Sequence, residues 1–148
     1  MTARSGHVEG DRHFFPVRVY YEDTDAAGIV YHAQYLNYAE RARTEMLRLA
    51  GIRQSLMTAE HDMTFAVHSC RMEFLKPALF DDLLEVRSHL TRLGGASVSV
   101  EQSIWRGEEE LVRCALKIAA MRRDGRASRI PDAVRAALAP YAHPQIQG

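Results

Sequence analysis

The stretch YYEDTDAAGIVYHAQYLNYAERARTE, Tyr20 to Glu45, crowds Glu22, Asp23 and Asp25 ahead of Gly28 and His32, where a helical pattern begins. Gly28 permits a tight backbone path. The first turn of a helix carries N–H groups without an internal partner and a partial positive charge. Such N–H groups can polarise a carbonyl whose oxygen becomes negative in a transition state. A carboxylate a few residues upstream, here Asp25, could attack that carbonyl or deprotonate a water that does. An ionised carboxylate needs no activation to act as a nucleophile. Thioesters suit so modest a nucleophile, because thiolates leave easily. An Asp ahead of a helix is also commonly an N-cap or turn residue, so the pattern alone leaves both roles open. Glu22 and Asp23 read as solvated loop charges or partners for nearby arginines. The spacing of Glu22, Asp23, Asp25 and His32 matches no usual metal-ligand pattern.

Positioning those residues requires a strand before them and a helix after them. Phe14 to Tyr21, FFPVRVYY, is β-branched and aromatic, and Pro16 suits an edge or the start of a strand. Tyr35, Leu36, Tyr38, Ala39, Ala42, Met46, Leu49 and Ala50 recur at helical steps, which predicts a helix over about 33–50 with Gly51 as its left-handed cap. Met63 to Phe74 has strand-like spacing. Leu84 to Leu90, Val98 to Ile104 and Val112 to Ala120 alternate with polar or small residues, as a sheet solvated on one face requires. Leu93–Ala96 and Arg106–Glu108 supply hairpin turns. Pro131 to Leu138 predicts a short last helix. The expected architecture is α+β: a curved antiparallel sheet of about five strands, four of them in a meander, wrapped around one long helix. The expected organisation is a flexible segment over 1–12, one domain over 13–141 and a tail over 142–148.

Composition narrows the classes. The 148 residues suit one domain, and 19 basic residues balance 19 acidic ones, which argues against nucleic acid as a partner. No run is apolar enough for a membrane span, and the first fifteen residues have no signal-like apolar core. Cys70 and Cys114 form no CxxC pair and read as reduced packing residues of a cytoplasmic protein.

FPVRVYYEDTDAAGIVYHAQYLNYAERARTEMLR, Phe15 to Arg48, resembles the signature of the hotdog-fold acyl-CoA thioesterases. It is most similar to their YbgC branch, associated with the Tol-Pal envelope system, and more distantly to the 4-hydroxybenzoyl-CoA thioesterases. The resemblance implies hydrolysis of an acyl-CoA or acyl-carrier-protein thioester to a free acid. It implies a catalytic role for Asp25, an oxyanion contact at the backbone N–H of His32, and positioning or proton-handling roles for Tyr21 and the His32 ring. Gly28, Ile29, Val30 and Tyr31 become substrate or oxyanion contacts. It also implies a homodimer or a dimer-of-dimers tetramer, with the site between protomers, and neither metal nor cofactor. The branch often has Gly-Gly where this chain has Ala27-Gly28. Phosphates of coenzyme A would want basic residues. Arg122, Arg123 and Arg126 form the densest cluster, with Arg71 and Lys76 as further candidates. Tyr20, Tyr21, Tyr31, Tyr35 and Tyr38 would line an aryl pocket or pack in the core. Two other classes remain. One is an enoyl-thioester hydratase, disfavoured by the long Asp25–His32 spacer without Asn-Pro. The other is a carrier-protein-binding scaffold of phospholipid or envelope metabolism with weak hydrolysis.

Overall fold

The computed structural model describes residues 4–142. Six strands run β1 His7–Glu9, β2 Arg12–Arg18, β3 Thr64–Phe74, β4 Leu83–Leu93, β5 Ser97–Arg106 and β6 Glu109–Met121. Three α-helices accompany them: α1 Gln34–Leu49, α2 Gln54–His61 and α3 Asp132–Leu138. All strands pair antiparallel in one sheet of order β1-β2-β4-β5-β6-β3.

The alternating residues face one way. Leu84, Val86 and Leu90 of β4, Val98, Val100 and Ile104 of β5, and Val112, Leu116 and Ile118 of β6 are buried against α1. Each such side chain contributes roughly 1.5–3 kcal/mol of burial. From α1, Tyr35, Tyr38, Ala39, Ala42, Met46 and Leu47 meet that face. The small Ala39 and Ala42 let the helix approach closely. Leu36 and Leu49 are 45% and 43% exposed, so the buried stripe is narrower than the sequence pattern predicts and runs through Leu47 instead. Gly51, at φ +86°, closes α1 as expected, donating its N–H to the Arg48 carbonyl.

Several expectations are corrected. The sheet has six strands, and the last four are no simple meander. β4, β5 and β6 are sequential neighbours, but β3 lies beyond β6 at the far edge, and β4 pairs with β2. Residues 7–9 are a strand on β2 rather than a loose lead, because the left-handed Gly6 and the buried His13 hold them: His13 Nε2 lies 2.7 Å from the Ser5 carbonyl oxygen. The α2 helix escapes the periodicity because it buries only Met57. Of the predicted tail, 143–148 lie outside the described residues. No helix among the described residues is long and apolar enough to cross a membrane.

The cysteines divide. Cys70, expected to pack, lies exposed on edge strand β3, whereas Cys114 faces the core. Burial pushes the Cys114 thiol up to about 12. In the folded protein a chromogenic thiol reagent at pH 8 should therefore titrate one rapid equivalent, with the second appearing only in denaturant. Two rapid equivalents in native buffer would contradict this assignment.

Candidate active site

Between β2 and α1 the chain makes one turn of 3₁₀ helix, Tyr21–Asp23, then a tight loop. Thr24 and Val30 bridge as an antiparallel pair. Inside that bridge the Asp25 N–H donates to the Ile29 carbonyl at 2.9 Å and the Gly28 N–H to the Asp25 carbonyl at 3.0 Å. Gly28 sits at φ +82°, a conformation that costs a side-chain-bearing residue about 1 kcal/mol or more. One glycine at this position suffices for the turn. The Ala27 N–H donates to Asp25 Oδ1 at 2.8 Å, so Asp25 does act as a turn residue, and among the described residues no side chain or backbone donor engages its Oδ2.

Asp23 is not a solvated loop charge. It is 5% exposed, and its two oxygens accept three hydrogen bonds. Oδ1 accepts from Gln34 Nε2 at 2.9 Å. Oδ2 accepts from the Tyr20 N–H at 2.9 Å and the Tyr38 hydroxyl at 2.8 Å. Burial, and then the bond to Asp23, push the Tyr38 hydroxyl pKa upward, so it stays a donor. The Asp23 carbonyl also accepts from the Tyr31 N–H at 2.9 Å. A buried carboxylate is tolerated when its acceptor sites are filled in this way. Glu22, by contrast, is exposed as expected.

Asp25 emerges on the other side of this loop. With Ile29, Val30, His32 and Tyr35 it lines a half-open cleft of about 360 Å³, whose far wall is Phe74–Pro77 at the exit of β3. The His32 ring meets Phe74 edge-on at 6.4 Å and tilts against Tyr31 at 4.4 Å. The Tyr35 hydroxyl accepts from the Ala78 N–H at 3.0 Å, and the Val30 N–H donates to the Ala78 carbonyl at 2.9 Å. Those two bonds fix the wall to the loop that carries Asp25.

The expected oxyanion contacts divide, and the Ile29 N–H, like that of His32, has no acceptor among the described residues. The N–H groups of Gly28, Val30 and Tyr31 already donate to backbone carbonyls and are not available. The N–H of His32 has no acceptor among the described residues, and no side chain caps α1, which starts two residues later. Tyr21 is 78% exposed and leans on Phe80 at 4.6 Å, and it does not line the cleft within this chain. Of the five tyrosines, Tyr35 and Tyr38 are buried, and Tyr35 alone reaches the cleft. Among the described residues no three of His, Cys, Asp and Glu converge as a metal site would require.

The basic candidates scatter. Lys76 lines the cleft and pairs with Glu109 at 2.9 Å. Arg71 stands midway along β3, lining a separate surface depression with Glu73 and Arg113. Arg122, Arg123 and Arg126 surround the turn after β6. There Met121 pairs with Thr64, at the opposite end of the β3–β6 ladder from Phe74. That end is roughly 33 Å from the cleft wall at ~3.3 Å per residue. Sequence reasoning missed Phe74, Leu75 and Pro77 as cleft residues, since they read only as a strand end.

Residues 27–113 match the model of the thioesterase superfamily, a span that begins just past Asp25 and includes His32 and the cleft wall. An acyl-CoA thioesterase YbgC of Haemophilus influenzae is 43% identical over 105 residues, covering 71% of this chain and 77% of that protein. An acyl-CoA thioester hydrolase YbgC of Escherichia coli O6:H1 is 46% identical over 98 residues, covering 66% of this chain and 72% of that one. The crystal structure of a probable thioesterase from Bartonella henselae superposes with a TM-score of 0.79 at 38% identity, covering 81% of this chain and 99% of that one.

The loop geometry makes Asp23 a structural residue. Asp23→Ala should lower unfolding free energy by about 3 kcal/mol in a denaturant titration, since hydrogen bonds to a charged acceptor are each worth ~1.5–3 kcal/mol. Asp23→Asn should also destabilise, because its amide NH₂ must face one of the three donors. An unchanged denaturation midpoint in both variants would contradict the assignment.

Proposed function

The chain belongs to the thioesterase superfamily, and on that premise we propose that it hydrolyses acyl-CoA thioesters to a carboxylic acid and coenzyme A, with Asp25 as the catalytic carboxylate. The observation that carries this reading is the Asp25 carboxylate, held by one oxygen and open at the other, in a cleft shared with the start of α1. A thioester carbonyl seated there would direct its oxygen to the His32 N–H. Negative charge developing on that oxygen meets a fixed donor and the positive end of α1. Asp25 Oδ2 then has two routes. It attacks the carbonyl carbon, the C–S bond breaks to release thiolate, and water hydrolyses the resulting anhydride. Alternatively it takes a proton from water, whose oxygen forms the new C–O bond. The leaving thiolate takes up a proton, and the His32 ring at the cleft mouth is suited to supply it.

Two features support a site completed by a second protomer. The cleft is half open in one chain, and among the described residues nothing pairs with the outer edge of β3. An eleven-residue open edge favours strand pairing. Antiparallel pairing of β3 with its own copy would swap the ends of the ladder. The Arg122–Arg126 turn of a partner would then approach the cleft, which gives that cluster a route to the coenzyme A phosphates that it lacks within one chain.

Thiol release from a panel of acyl-CoAs measures both parts of this reading. Asp25→Asn, folded as judged by its circular dichroism, should lose about 10²–10⁴-fold in kcat. Wild-type rates in that variant would remove Asp25 from the chemistry. Replacing Arg122, Arg123 and Arg126 with Ala should raise KM about tenfold, some 1.4 kcal/mol, with kcat held. An unchanged KM would separate the cluster from substrate binding.

A further inference from the structure

Among the described residues, one buried side-chain nitrogen or oxygen has no hydrogen-bond partner: His13 Nδ1. His13 is fully buried on the inner face of β2, at the opposite side of the sheet from β3. Its Nε2 lies 2.7 Å from the Ser5 carbonyl oxygen. A carbonyl only accepts, so Nε2 carries the hydrogen, and in the neutral ring Nδ1 is a bare lone pair. A second proton must therefore go to Nδ1, where no acceptor among the described residues meets it. A buried N–H left in that state is costly.

The same contact holds the N-terminal segment. Ser5 also donates its hydroxyl to Glu45 Oε1 of α1 at 2.7 Å. Gly6 follows at φ +76°, packed so closely that a Cβ there would overlap the Phe14 carbonyl oxygen. β1 pairs with β2 over only three residues, and its own side chains are exposed. Residues 4–9 are thus a strap along the edge of β2 that reaches α1, fastened at Ser5 and Gly6 more than along its ladder.

The charges around the ring come from two elements. Burial lowers the His13 pKa and the Ser5 carbonyl opposes that; the His7 charge on β1 lowers it further, and the Glu45 charge on α1 raises it. Glu45 is shared with Arg48 at 3.2 Å. Across the sheet, the residues in register with His13 are the neutral Ser88 of β4 and Gln102 of β5, and Gln102 accepts from Arg43 of α1.

We propose that residues 4–9 form an acid-released strap, latched by the neutral ring of His13. Once the strap opens, His13 is in water and takes a proton at the ordinary value of ~6.5. The latched ring takes it only at lower pH. The latch is therefore at full strength above the ordinary value. It weakens by up to ~10-fold per pH unit below that value, until the latched ring is protonated too. Opening bares the outer edge of β2. The device shares no residue with the Asp25 cleft and stands apart from the reading of that site.

Amide hydrogen exchange on the intact protein, corrected for the pH dependence of intrinsic exchange, reads the opening of the strap. From pH 7.5 to 5.0, protection over residues 7–9 should fall about fivefold or more, while that of β5 stays unchanged. His13→Gln, whose amide donates to Ser5 without titrating, should protect residues 7–9 equally at both pH values. Gly6→Ala should lose that protection at both. Unchanged protection of 7–9 in wild type, an equal loss in β5, a wild-type pH dependence in His13→Gln, or wild-type protection in Gly6→Ala would each overturn the proposal.

Discussion

The Asp23 carboxylate organises the region between β2 and α1. Its three donors come from the end of the strand segment (Tyr20) and from two positions one turn apart on the helix (Gln34 and Tyr38). Its own carbonyl receives Tyr31. One buried acid thus sets the angle at which the chain leaves the sheet and begins the helix. A carboxylate in that position would be costly unless saturated, so the loop has few alternatives to the observed arrangement. Asp25 inherits this rigidity two residues later. The cleft geometry is held by a group that does not touch the cleft, as a preorganised site requires.

Two aspartates of the same motif therefore have opposite environments, and this is where the sequence was hardest to read. EDTD announces that acids gather at the junction, but nothing in the spacing says which carboxylate turns inward. Position within the 3₁₀ turn decides it: Asp23 closes the turn against α1, while Asp25 starts the next one, where Gly28 reverses the chain. The resemblance pointed to Asp25, and residue patterning alone did not. Period-two strands β4 to β6, the body of α1 and the Gly51 cap were legible, because each is a local consequence of alternation or backbone freedom. The placement of β3 was not, because its pattern carries no sign of its neighbour. Strand β1 and helix α2 were missed for a related reason. Each is short and held by contacts distant in sequence: β1 by His13 on β2, and α2 by the single buried Met57.

The helix is located on the sheet by polar contacts as well as by apolar ones. Ala39 and Ala42 permit close approach, but an apolar stripe on an apolar sheet can slide at small cost. The Gln102 amide, donating to the Ala39 carbonyl and to Ser88, fixes one register, and Arg43 adds a second contact to the same amide. Together with Asp23 at the start of α1, these bonds fasten the helix at two points. The N-terminus of α1 is then a fixed feature, and a fixed N–H is what charge stabilisation at a carbonyl demands.

The same topology that builds the cleft leaves it half open within one chain. Sending β3 to the far edge carries Phe74–Pro77 to the wall of the cleft, tied there by Ala78 to Tyr35 and Val30. Among the described residues it also leaves eleven residues of strand without a neighbour on one side, with Cys70 and Arg71 in the open. One segment thus serves as cleft wall and as unpaired edge. Charge developing on a carbonyl seated in this cleft is stabilised more strongly when the cleft is enclosed, and the wall alone does not enclose it. Pairing along β3, as proposed, would answer both needs at once: it would satisfy the open edge and bring a second chain to the mouth of the cleft. The proposed assembly and the proposed chemistry therefore rest on a single structural choice, the displacement of β3 from its sequential neighbour.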